Sequence, residues 1–331
     1  GVITAADYRP SKATRIAWIV AHMSGDEKEL AETLLRADVK PDVVAMAAFT
    51  EEQKVRVLDL AIETVEFQYL RHTLSRDEYR PLYLSLLQQR SRLNPQQPAV
   101  PDIPVPTRPD QGHGSNRFAL AGGELADEPF VELRLRPAYH NLLDADDGYL
   151  TGSQIDFANI VVRHYLDLEK TRLQAFDLVS IVSLAPRHRF YQPVSWKLDA
   201  GFRRELFRSG SERLVFRVNP GGGFTFGTDR AMIFLLAETE LQFSDHFRDN
   251  FLLGFGGSSG LLARVGQNLK LKVDWRQVGF VLGDEPHRSY RAGVGLNRKL
   301  GVNSSLFVEA ARRKDHGVYR SEVLGGLNLY W

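Results

Sequence analysis

The sequence contains no cysteine, which excludes disulfides, thiolate metal sites and a cysteine nucleophile. No stretch approaches the ~18–20 consecutive apolar residues of a transmembrane helix. That excludes a helical membrane protein but not a β-barrel, whose alternating strands average out on a hydropathy scale. Net charge is lacking too: 42 Lys plus Arg stand against 41 Asp plus Glu. There is no basic surplus of the kind that marks a nucleic-acid-binding domain, so no nucleic-acid partner is expected. Gly221–Gly223 has no helical pattern after it, so it reads as a flexible or bulged turn and not as a phosphate loop. No cofactor is expected. A secretory leader pattern is missing as well, and the chain reads as a mature or truncated piece.

Residues 1–93 carry helical periodicity. Pro10-Ser11 opens a helix with Ile16, Ile19, Val20 and Met23 on one face. Ser24 with Glu27, and Ser75 with Glu78, have the spacing of a capping box, and Thr50 caps the strongest pattern (Val55, Leu58, Ile62, Val65, Tyr69). Pro81 falls late for a first-turn proline, so the last helix is expected to start nearer Tyr79 or to bend there. Composition then breaks. Residues 94–112 form a connector with Pro95, Pro98, Pro101, Pro104, Pro106 and Pro109, which predicts an extended linker.

From residue 113 the period falls to two. Val131, Leu133 and Leu135 alternate with Glu132, Arg134 and Arg136; Leu269, Leu271, Val273 and Trp275 alternate with Lys270, Lys272, Asp274 and Arg276. About twelve such runs are long enough to cross a bilayer when tilted. The sixth, 213–219, is the weakest, because Pro220 and the three glycines follow it. A soluble sandwich also alternates. Charges of both signs on the polar face, glycines inside strands, and a final strand ending in Trp331 favour a membrane barrel. That last strand resembles the signal read by the barrel-assembly machinery. The expected fold class is α+β: a helical segment (1–93), a linker (94–112) and an antiparallel transmembrane barrel of about twelve strands (113–331).

Three polar clusters are candidates for chemistry. His113 and Ser115 could act as base and nucleophile; the ordinary alternative is a polar barrel entrance. His140 with Asp144, Asp146 and Asp147 offers catalytic groups, or oxygen ligands for a hard cation in the three aspartates. The spacing does not match the standard calcium loop. An acidic turn at Gly148 is the alternative, with His140 pairing to one aspartate. Arg187, His188 and Arg189 form a basic turn that could meet lipid phosphate or the acidic loop. Counting strands from a periplasmic start puts 141–152, 184–193 and 220–230 at the periplasmic end. That end is expected to dock the helical segment and the missing enzyme domain.

Several stretches resemble proteobacterial envelope proteins of unknown function that carry an Lnb-type N-terminal periplasmic domain. They are Gln111-Gly-His-Gly-Ser-Asn-Arg117, Arg136-Pro-Ala-Tyr-His-Asn-Leu-Leu-Asp144, Asp147-Gly-Tyr-Leu-Thr-Gly-Ser-Gln-Ile155, Val179 to Arg187 and Phe190 to Trp196. The resemblance implies that relatives join a cysteine hydrolase or acyltransferase, tied to lipoprotein processing, to a helical segment and a barrel. Its catalytic residues map to no position here. The expected role is thus an outer-membrane anchor for such a domain, with outer-membrane lipids and lipopolysaccharide as partners. A barrel-embedded lipid hydrolase and a narrow channel or lipid conduit are the alternatives.

Overall fold

A computed structural model describes residues 9–331 apart from 37–39, 96–98, 104 and 284–285. It divides into two compact units: residues 1–106 together with 188–192, and residues 107–187 together with 193–331.

The first unit is helical: α1 (Lys12–Ala21), α2 (Gly25–Leu35), the single turn α3 (Val43–Met46), α4 (Glu51–Leu70) and α5 (Arg76–Arg90). Side-chain caps set the starts. Ser11 accepts from the Thr14 amide, and Ser24/Glu27, Thr50/Gln53 and Ser75/Glu78 each close a capping box. The last box explains why α5 begins at Arg76 and not near Tyr79. Two reciprocal bonds fix the first turn ahead of Pro81, and the helix continues through the proline. Ile16, Leu34, Leu58, Leu60, Val65 and Leu86 are buried together, and Phe190 joins them from the 188–192 segment. Arg189 pairs with Glu32 in the same unit.

The proline-rich stretch is not a free linker. Trp18 Nε1 donates to the Pro101 carbonyl at 2.9 Å and Arg56 Nη1 to the Ala99 carbonyl at 3.0 Å. Val100 packs on the helical core. Prolines supply acceptors but no amide donors, so the helices' long donors fasten the segment. Pro98 and Pro104 lie outside the described residues.

The second unit is one antiparallel sheet closed on itself. Its strands are β1 (Arg117–Leu125), β2 (Glu128–Arg136), β3 (Ala138–His140), β4 (Ser153–Tyr165), β5 (Lys170–Ser183), β6 (Ser195–Leu206), β7 (Glu212–Thr228), β8 (Ala231–Phe243), β9 (Phe251–Val265), β10 (Leu269–Gly283), β11 (His287–Gly301), β12 (Ser304–Asp315) and β13 (Val318–Tyr330). Strands β2 and β3 are one wall position broken at Pro137, since Leu135 faces Ile160 and Ala138 faces Phe157 of β4. The wall therefore has twelve positions. Pairing of β1 with β13, Arg117 opposite Tyr330, closes it.

The sixth position corrects the sequence reading. β7 runs through Pro220, which pairs with β6, and through Gly221–Gly223, which pair with both β6 and β8. A Cβ on Gly223 would lie 2.0 Å from the Leu235 carbonyl oxygen, so the glycine permits a close approach within the wall and does not mark a turn. Pro220 cannot donate to the ladder. The neighbouring Asn219 side chain donates instead to the Thr239 carbonyl of β8, at 2.8 Å. The expected long turn at 220–230 shrinks to residues 229–230. At the end that holds the termini, only 141–152 and 184–194 are long connections.

Alternation sorts the wall. On β8, Ile233 and Leu235 face outward at 57% and 53% exposure, while Met232, Phe234, Leu236, Glu238 and Glu240 are buried inside. Apolar side chains form an outward belt around the barrel, which in water would be an unusually large exposed patch. Aromatic side chains are exposed towards both ends: Tyr139, Trp196 and Trp331 at one, Phe202, Phe243 and Tyr319 at the other. On β11 the outward residues between the exposed Arg288 and Arg298 are all uncharged. Ten residues at ~3.3 Å each, tilted by ~40°, span ~25 Å of height, which equals the apolar band of membrane barrels.

The interior is layered. An apolar layer (Met232, Phe234, Leu236, Leu262) lies toward the termini and another (Val215, Leu252, Val278, Phe280) toward the opposite end. Charge pairs fill the middle. Glu132 holds Arg134 and Arg163, each at 2.6 Å. These arginines reach on to Glu309 at 3.0 Å and Glu322 at 2.7 Å. Lys197 and Arg276 converge on Glu238 at 3.2 and 2.7 Å. A cavity of about 400 Å³ remains among these pairs.

Candidate functional site

The polar residues singled out in the sequence gather where the chain enters the barrel. His113 directly precedes β1, and the 141–152 connection folds back across the barrel interior. Leu142 is buried with Met232, Phe234, Leu236 and Leu262 of β8 and β9. The Leu143 carbonyl accepts from Asn297 of β11 at 2.8 Å, and Lys270 of β10 donates to the Asp144 carbonyl at 2.9 Å. Gly148 turns the chain at φ +80°, a conformation side chains disfavour. The loop thus spans from β3 to the facing wall across this end of the lumen.

Its three carboxylates do not converge on one point. Asp144 accepts from Arg136 Nη1 at 2.6 Å, from the Asn141 amide at 2.9 Å and from the Tyr330 hydroxyl at 2.8 Å. Asp146 pairs with Lys270 at 2.7 Å and Asp147 with Lys299 at 2.6 Å. Each aspartate is a separate pin to β2, β10 or β11. Burial alone would raise the Asp144 pKa, but Arg136 and Arg117 outweigh it and hold the carboxyl well below its usual range. Burial works the same way on Asp146, and the groups on His140 and Lys270 reverse it downward.

The two histidines form a chain. His113 Nδ1 donates to the Gly114 carbonyl at 2.7 Å, which leaves its Nε2 to accept from His140 Nδ1 at 3.1 Å. His140 Nε2 then faces Asp146 at 3.7 Å. Tyr149 stacks on both rings, at 4.5 and 4.4 Å between centroids, and its hydroxyl donates to the His113 carbonyl at 2.9 Å. Burial pushes the His113 pKa down, which favours the neutral ring.

His113, His140 and Asp144 offer ligand atoms within 4.8 Å of one another. The charges are poorly suited to a divalent ion there: Asp144 already faces Arg136, with Arg117 at 3.8 Å. The arrangement serves best as a latch of hydrogen bonds and ion pairs.

A family model described as a domain of unknown function (DUF7840) matches residues 106–330. The chain belongs to that family. A second model, also a domain of unknown function (DUF7842), matches residues 6–101. No curated protein matches the chain. Among solved structures, the KdgM porin is similar at 10% identity with a TM-score of 0.38, over 65% of this chain and 99% of that one. The NanC porin gives 8% identity and a TM-score of 0.39 over 65% and 100%. OmpT of Vibrio cholerae gives 8% and 0.34 over 65% and 96%.

Within the DUF7840 barrel, His113, His140, Asp144 and Asp146 come together, whereas Ser115 stands apart. Both ring nitrogens of His113 are committed elsewhere, so the His113–Ser115 pairing expected of a base and nucleophile is not formed. The basic turn is divided between the two units, Arg187 with the barrel and His188 and Arg189 with the helices. Arg187 lies over the Phe224 ring at 4.7 Å, and its amide donates to the Thr225 carbonyl at 2.7 Å. Burial lowers the His188 pKa, and His188 stacks on Tyr191 within the helical unit, where Arg189 holds Glu32. Arg136, Tyr149, Lys270 and Tyr330 complete the latch and had no local signal. Each sits in an ordinary alternating or turn pattern and acquires its role only through strand pairing.

Proposed function

We propose that this DUF7840 chain is an outer-membrane barrel that anchors and orients periplasmic domains and stays closed to steady ion flow. The observation that carries the reading is the infolded 141–152 loop, held to three strands by Asp144, Asp146 and Asp147, at the mouth of a lumen crossed by charge pairs. The belt of ~25 Å supports membrane insertion. The helical unit precedes the barrel in the chain, and the family resemblance adds an Lnb-type hydrolase or acyltransferase domain as the further cargo. The barrel-assembly machinery would insert such a chain. His113 uses both ring nitrogens on Gly114 and His140, so the His113–Ser115 pair lends no support to a lipid hydrolase within the barrel.

Fractionation tests the anchoring. The chain is expected in the outer-membrane pellet after alkaline extraction, with an unboiled band that migrates faster than the boiled one. A soluble protein whose band does not shift would remove the anchor. A steady current through the purified protein would replace closure with the channel reading.

A further inference from the structure

Some lipid-facing cations of the barrel are not in the basic turn at all. Arg288 and Arg312 are exposed on the outer faces of β11 and β12, at the end opposite the chain termini. Lys314 stands beside them, opposite Tyr290 on β11 and Tyr319 on β13. The Arg312 guanidinium and the Lys314 ammonium lie 4.9 and 4.7 Å from the centre of the Tyr319 ring. Tyr319 is itself 56% exposed.

Two features make this group unlike an ordinary charged surface. Among the described residues of β10–β13, the carboxylates alternate to the inner face. Asp274 pairs there with Arg291 and Lys272, Glu309 with Arg134 and Glu322 with Arg163, while Asp315 lines the inner mouth. Among the described residues of these four strands, the outer face therefore carries cations and no carboxylate. The group also sits at the edge of the apolar belt, where Val294, Val308 and Val323 give way to tyrosines. That is the height of lipid head groups. Arginine pairs with phosphate through two parallel hydrogen bonds, and tyrosine faces steady the cations between them. Three cations exceed what a single phosphodiester needs.

We propose that Arg288, Arg312 and Lys314 form a binding site for an anionic glycolipid carrying more than one phosphate, in the leaflet at the end opposite the termini. The site rests on the membrane-barrel reading above.

Native mass spectrometry of the full chain in detergent tests it, with a bisphosphorylated glycolipid, its monophosphorylated form and phosphatidylglycerol as probes. The expected result is one retained bisphosphorylated glycolipid, bound about tenfold more tightly than either other probe. R288Q/R312Q/K314Q should lose that preference, and R298Q, on the outer face at the other end, should keep it. Equal binding by wild type and the triple variant would overturn the site. So would equal binding of phosphatidylglycerol, which would reduce it to general attraction of anions. The heat-dependent band shift of the triple variant shows separately that it folds. A wild-type chain without that shift would remove the membrane reading and the site with it, whereas equal binding with the shift intact would remove the site alone.

Discussion

Removing the Asp144 carboxylate should open the latch without unfolding the barrel. In Asp144→Ala, Arg136 loses its 2.6 Å partner while remaining fully buried. The Tyr330 hydroxyl and the Asn141 amide lose an acceptor as well. Breaking a buried ion pair from one side costs ~3–5 kcal/mol. Arg136 keeps Asp156 at 3.2 Å, which places the cost near the lower end, at ~3 kcal/mol. At about 1.4 kcal/mol per factor of ten, the loop should be open about a hundred times more often. Because the chain has no cysteine, a Leu142→Cys reporter can be labelled alone with a water-soluble maleimide. Leu142 is 6% exposed, so labelling requires opening. The Asp144→Ala change in that background should raise the labelling rate roughly a hundredfold. Asp147→Ala should change it no more than about fivefold, since its pair with Lys299 is half exposed. Equal rates for the reporter with and without Asp144→Ala would refute the latch.

Acid should loosen the same loop in two stages. The closed state resists protonation of His113, so its stability falls as pH drops below the open-state value of about 6.5. Asp144 and Asp146 have depressed pKa values when closed; their contribution is complete above about 3.9 and is lost as pH falls below it. A flat labelling profile from pH 8 to 3, corrected for the maleimide's own pH dependence, would contradict this. Gly223→Val should abolish the heat-dependent band shift, because its Cβ would meet the Leu235 carbonyl at 2.0 Å. Gly222→Ala, whose nearest neighbour would be 3.9 Å away, should leave the shift intact. Phe190→Ala removes a side chain that is 6% exposed in the helical core. A loss of ~3 kcal/mol should lower the helical melting temperature, followed by circular dichroism, by at least about 10 °C.

The barrel was legible in the sequence because alternation is a local property. The alternations read at Val131–Arg136 and Leu269–Arg276 lie within β2 and β10, and a wall of about twelve follows from summing such runs. β7 was not legible in full, because proline and glycine normally interrupt strands. Asn219 and the close approach of β8 at Gly223 reverse that rule, and both depend on partners fixed only by register. The latch was half legible. His113, His140 and the three aspartates stood out as polar clusters in short segments, and the pairing of His140 toward Asp146 followed from proximity. Their cationic partners could not be assigned. Arg136, Lys270 and Lys299 are inward positions on strands up to 155 residues from the loop's Asp144, and only closure of the barrel brings them to it. The partner of Arg189 was equally out of reach: it pairs with Glu32, 157 residues away, while Phe190 beside it is buried among the helices.

Ion current through the purified full chain in a planar bilayer tests closure most directly. The wild type should insert without steady conductance steps, and deletion of residues 141–150 should produce them. Steady steps of equal size in both proteins would contradict a lumen closed by the 141–152 loop.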